Sequence, residues 1–191
     1  MNDHQPDGLQ NTARSGRAMG AMFFAVFGGA WLGLWASRSF AAPAAAVVTT
    51  ALVAVILTAI AYRIYRANAF ALQTDAATPS SRRRSRLFNW INAAQWAVIL
   101  IAGNVLANMG LADWIIPTAI FVIGVHFLPL ARLFANPPHY VTGSALVVLA
   151  AVYPLTAPMG AADPLGCLGA GLILWASAAW ALRPVRHLMP G

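Results

Sequence analysis

His126 stands in the run GVHFLPLARLF, residues 124–134. Imidazole changes charge near neutrality, so in an apolar setting it can carry a proton or bind a solute. It can equally stay neutral, giving one hydrogen bond and accepting another, and so lock helices together. Counted inward from the ends of their own apolar runs, Thr58, Asn92, Gln95, Ser144 and Ser177 fall at about the same depth as His126. Two amides, three hydroxyls and an imidazole at one level could form a polar site for a small solute. The alternative is that they only join helices, at about 0.6–2 kcal/mol each.

Other chemistry is missing from the sequence. There is no paired carboxylate in an apolar run, no G-x-S-x-G elbow, no H-E-x-x-H and no phosphate-cradling glycine loop. His4, His126, His139 and His187 lack ligand spacing, and a lone Cys167 excludes an intrachain disulfide or a multi-cysteine metal site. The sequence predicts no metal and no cofactor, and leans against an enzyme.

The elements that hold these residues are set by composition. Of 191 residues, 60% are hydrophobic and 9% charged, against about 25% charged in soluble domains. So short a chain could not hide this much apolar side chain from water. Six apolar runs, roughly 18–36, 44–62, 88–108, 114–131, 140–157 and 165–182, are each near the ~20 residues a helix needs to cross hydrocarbon. The first follows Arg14 and Arg17 and precedes AAPAAA, as a signal peptide would, but it outruns the usual h-region of about 7–15 residues and reads as a span. The expected fold is all-α, a six-transmembrane helical bundle. A polar tail (1–17) leads to a first hairpin (18–62). An Arg-rich linker (63–87), a four-helix unit (88–183) and a tail (184–191) follow.

The net charge is +7, and all twelve basic residues are arginine. If the N-terminus is cytoplasmic, eleven of the twelve fall in inside segments and only Arg38 falls outside, as the positive-inside rule requires. Both termini are then cytoplasmic. Within the linker, Arg82, Arg83, Arg84 and Arg86 set topology and attract anionic lipid headgroups. Nucleic acid is not an expected partner, because the basic run has no interleaved aromatics.

Three features bear on helix shape. Pro129 removes a backbone bond to Val125 and bends the fourth span, while Pro117 either does the same nearer its start or merely opens the helix. Gly29 and Gly33, in GxxxG register, allow close packing within the chain or between copies of a homo-oligomer. Asp113 is placed to cap the fourth span. ANMGLAD (107–113) and APMGAAD (157–163) agree at five of seven positions. Tandem duplication of spans 3–4 and 5–6, or chance among small turn residues, accounts for this echo.

Gly124, His126, Phe127, Pro129, Leu130 and Ala131, followed by Tyr140, Thr142 and Gly143, resemble a segment in uncharacterised families of small bacterial multi-pass membrane proteins. The resemblance implies a compact helical fold in the bacterial inner membrane and a role for His126. It carries no assigned activity. The sequence thus leads to an integral membrane protein with an inward-facing polar site, of transporter or permease type. The alternative is a structural or accessory membrane subunit with no site of its own.

Overall fold

The computed structural model describes residues 5–75 and 79–183, with side chains for 13–68 and 81–183. The described residues form helices and no strand: α1 (Gln5–Ser39), α2 (Ala44–Asp75), α3 (Pro79–Asn108), α4 (Ile115–Leu133), α5 (Pro138–Thr156) and α6 (Leu165–Ala181). Five of these elements are long and apolar enough to cross a membrane, and α6 is a shorter apolar helix. The tail 184–191, His187 and His4 lie outside the described residues.

Helices α1, α2 and α3 outrun their apolar cores. The stretch 5–17, expected as a tail, is the beginning of α1, and most of the 63–87 linker is the end of α2 and the start of α3. Backbone bonding inside a helix does not stop where the side chains turn polar. Between Arg63 and Asp75 no glycine or proline interrupts it. Gly8 and Gly16 each cost about 1 kcal/mol relative to alanine, which a 35-residue helix tolerates.

The stops are local. Pro43 lies at the entry to α2, where its carbonyl accepts the Val47 N–H at 2.9 Å. Pro137 and Pro138 open α5, where a missing N–H costs nothing. Helix α4 ends in a Schellman turn. Asn136 N–H donates to Ala131 at 2.9 Å and Ala135 N–H to Arg132 at 3.3 Å, with Ala135 left-handed at φ 47°. Short 3-10 turns, Ala112–Trp114 and Gly160–Ala162, precede α4 and α6.

Helix neighbours run in the order α2, α1, α6, α5, α4, α3, with α4 also touching α6. The outer members, α2 and α3, each pack along a single helix. The core comes from the other four: Phe24 of α1, Ile120 of α4, Leu146, Ala150 and Tyr153 of α5, and Ala170, Leu174 and Ala178 of α6. Glycines set the closest crossings. A Cβ on Gly124 would come within 2.8 Å of the Gly143 carbonyl, and one on Gly143 within 2.6 Å of the Gly124 carbonyl, so α4 and α5 touch backbone to backbone. Gly29 faces Ala54 and Gly33 faces Thr50 of α2, which places the GxxxG pair in an intrachain contact.

One expectation about helix ends changes and one alternative is settled. Asp113 makes no capping hydrogen bond, because the 3-10 turn intervenes and α4 starts from Trp114. Pro117 lies in the first turn of α4, where it opens the helix. Pro129 is inside α4, and the helix continues through it to Leu133.

Gly143→Ala should therefore lower thermal stability in detergent by about 1–3 kcal/mol, the usual range for overpacking. Gly20→Ala, whose added methyl meets nothing within 4 Å, should be neutral or mildly stabilising.

Candidate functional site

His126 lies half-buried on α4. Its ring faces the backbone of Ile91 on α3, while its Nδ1 is buried with no hydrogen-bond partner. No spacing in the sequence pairs it with His139, yet the two lie within electrostatic reach of one another. Phe127 stands between them, its ring centroid 5.7 Å from each imidazole. Phe24 of α1 closes the group, 5.4 Å from Phe127 and edge-on to His139 at 5.7 Å. The Schellman turn at the end of α4 delivers Asn136, whose Nδ2 is 3.3 Å from His139 Nε2.

A hydroxyl pair lies on the next helix face. Thr142 Oγ1 and Ser177 Oγ are 2.8 Å apart, joining α5 to α6. Each also donates toward its own helix, Thr142 to Pro138 O at 3.2 Å and Ser177 to Ile173 O at 2.9 Å. One hydroxyl has one proton, so at any instant the pair shares these three bonds between two donors. Thr142, only 4% exposed, carries this junction. In the sequence Thr142 is placed only within the family-like segment, and Ser144 is the residue of this helix expected in the belt.

The other polar residues of the expected belt lie on three helices. Asn92 and Gln95 are half-buried on α3, which packs on α4. Thr58 is on α2 at the other end of the row and donates to Ala54 O of its own helix at 2.7 Å. Ser144 is exposed on the outer face of α5. Counting depth along each helix axis carries no information on rotation about it. Asn104 and Asn108 bond one another at the far end of α3, Nδ2 of Asn108 lying 2.8 Å from Asn104 O.

The opposite end has its own polar group. Asp163, 6% exposed, accepts from Met159 N–H at 3.2 Å and Leu165 N–H at 2.9 Å, so it ties the α5–α6 loop to the first N–H of α6. Tyr153 Oη donates to Ala161 O at 3.2 Å, and its ring packs against Gly166. No cluster of three or more His, Cys, Asp or Glu able to hold a metal occurs among the described residues.

Most of the described arginines, Arg38 apart, gather at the other end. Arg82, Arg83 and Arg86 are exposed in the first turns of α3, with Arg84 half-buried. Arg83 and Arg86 border a shallow hollow with Leu87 and Trp90. Arg17 reaches across to α6, donating from Nη2 to Trp180 O at 3.1 Å and Arg183 O at 3.4 Å. The chain's first helix is thereby tied to its last.

Comparison with protein families, with curated proteins and with solved structures returns no match.

A double-mutant cycle on Thr142→Val and Ser177→Ala should return a coupling of about 0.6 kcal/mol, and no more than about 2, in detergent unfolding. A coupling near zero would show that the hydroxyls are not bonded.

Proposed function

We propose that the chain is an integral protein of the cell membrane that crosses the bilayer six times with both termini cytoplasmic. We propose further that it works as a structural or accessory component of that membrane. What supports the crossing number is the direct bond from Arg17, near the start of the chain, to the last turn of α6, since an even number of crossings brings both ends to one face. Helix α6, about 25 Å long at 1.5 Å per residue, supplies the sixth crossing. What supports the orientation is the excess of arginine at that same end. The left-handed glycines of the two outer turns, Gly110 at φ 73° and Gly160 at φ 61°, favour a common origin for the α3–α4 and α5–α6 hairpins.

One observation supports the accessory role: three of the polar residues expected to line a solute path are exposed or already hydrogen-bonded. Ser144 faces outward, Thr58 bonds its own helix, and Ser177 is engaged by Thr142. The central helices meet through glycines at backbone distance, which favours a packed interior over a channel. Polar groups arranged in this way fix helix positions.

A transporter-type reading is favoured by a different observation, the unpartnered Nδ1 of His126 beside His139. Buried polar groups normally find a partner. A polar atom of a bound solute would supply one.

Cysteine accessibility separates the two. On a Cys167→Ala background, Gln95→Cys, His126→Cys and Ser177→Cys are exposed to a membrane-impermeant maleimide from each side of the bilayer. The accessory role predicts no modification of the latter two in the time that Arg82→Cys is fully modified. Modification of His126→Cys and Gln95→Cys from one face would contradict it and support a water-filled path.

A further inference from the structure

Four arginines, from α1, α2 and the residues just after α6, border one cavity. Arg14 and Arg17 of α1, Arg63 of α2 and Arg183, two residues beyond α6, line a space of about 400 Å³ together with Ile64, Ala67, Asn68, Ala181 and Leu182. The helices supplying it are packed side by side, α2 on α1 and α1 on α6, so the cavity is a cleft between elements of the fold.

Its depth is set by the sequence. Arg17 directly precedes the first apolar run, Arg63 directly follows the second and Arg183 directly follows the last. In a bilayer these three guanidinium groups therefore stand at the level where hydrocarbon gives way to phosphate. Arg14, one turn before Arg17 on the same helix face, stands just beyond it on the aqueous side.

Two of the four are held in place. Arg17 is fixed by its bonds to the Trp180 and Arg183 carbonyls. Arg183 lies over the Trp180 ring, 4.7 Å from its centroid, a cation–π contact that leaves the edge of the guanidinium free to donate. The side chains of Asp113 and Asp163, the two carboxylates described, belong to the opposite end of the molecule. Four like charges around one cleft repel each other, and an anion within it turns that repulsion into attraction. Guanidinium forks match phosphate oxygens in pairs.

The remaining wall identifies the carrier of the anion. Ile64, Ala67, Ala181 and Leu182 are apolar, and Asn68 turns its amide back to Ile64 O of its own helix at 2.8 Å. A free phosphate gains nothing from apolar walls. A phospholipid does, because its glycerol and upper acyl carbons lie beside its phosphate. Basic clefts between membrane helices on the cytoplasmic side are suited to such headgroups. We infer that the cleft between α1, α2 and α6 binds the phosphate of one anionic phospholipid through Arg14, Arg17, Arg63 and Arg183. This inference goes beyond the accessory role and needs only the bilayer; it also differs from the diffuse attraction of the Arg82–Arg86 run, which has no enclosing wall.

The test uses the full chain in neutral detergent, with bound lipid counted by native mass spectrometry and thermal stability followed in parallel. The probes are dioleoyl-phosphatidylglycerol, dioleoyl-phosphatidylcholine, glycerol 3-phosphate and inorganic phosphate. The phosphatidylglycerol should be retained as one tight copy and raise the unfolding temperature; the other three should not. Arg14→Gln with Arg63→Gln should weaken that retention by about fivefold per arginine, the fold-change equivalent to ~1 kcal/mol each. Neither of these two holds another helix by a hydrogen bond, so the variant should still fold. Arg82→Gln with Arg132→Gln removes the same charge away from the cleft and should leave retention unchanged. Equal loss in the two double variants would reduce the effect to net charge and overturn the site. Equal stabilisation by glycerol 3-phosphate would overturn the lipid as its source.

Discussion

The constraint on which the rest depends is that this chain cannot bury its own apolar surface. Leu155 is 81% exposed, Trp90 75% and Val141 72%, and long stretches of α2 and α3 show only apolar side chains outside their single contact. At about 25 cal/mol per Å² such exposure would be prohibitive in water. In hydrocarbon it costs nothing, and the burden shifts to the backbone, whose N–H and C=O groups must all find partners inside their own segment. Helices satisfy that demand wherever they lie in the row. An open row such as this, with α2 and α3 bare along most of their length, is stable only where the solvent is itself apolar.

With no hydrophobic gain from bringing helices together in lipid, association must come from close packing and hydrogen bonds. The structure uses both. Gly124 and Gly143 bring α4 and α5 to backbone contact, Gly28 and Gly171 do the same for α1 and α6, and Trp175 Nε1 reaches Ala25 O at 3.0 Å across that second crossing. Thr142 with Ser177 and Arg17 with the end of α6 add bonds at the margins. The outer helices have fewer such devices: Gly29 and Gly33 serve α2, whereas α3 relies on half-buried Phe88 against Phe134, 5.7 Å apart, and on the Ile91–His126 contact.

Much of this was legible in the residues. Apolar runs near twenty residues long announce helices because length and periodicity-free hydrophobicity are one-dimensional properties. The arginine bias is one-dimensional as well. Rotation about a helix axis is not, and there the sequence fell short: Ser144 and Thr142 are two residues apart, about 200° around a helix, and only the second faces α6. His139 escaped notice because it begins a helix thirteen residues after His126, a separation that a turn, and not a period, brings together. The extension of α1, α2 and α3 past their apolar ends was missed because polar residues in a helix look like polar residues in a tail. The cleft of four arginines was hidden for a simpler reason, since Arg14, Arg63 and Arg183 meet only once α1, α2 and α6 are side by side.

Alkaline extraction of membranes from cells expressing the full chain shows whether its helices lie in hydrocarbon. High pH strips proteins held by charge or by partners and leaves those whose helices are dissolved in the hydrocarbon. The chain should remain wholly with the extracted membranes and be released only by detergent. Its appearance in the alkaline supernatant, folded and without detergent, would contradict the account at its base.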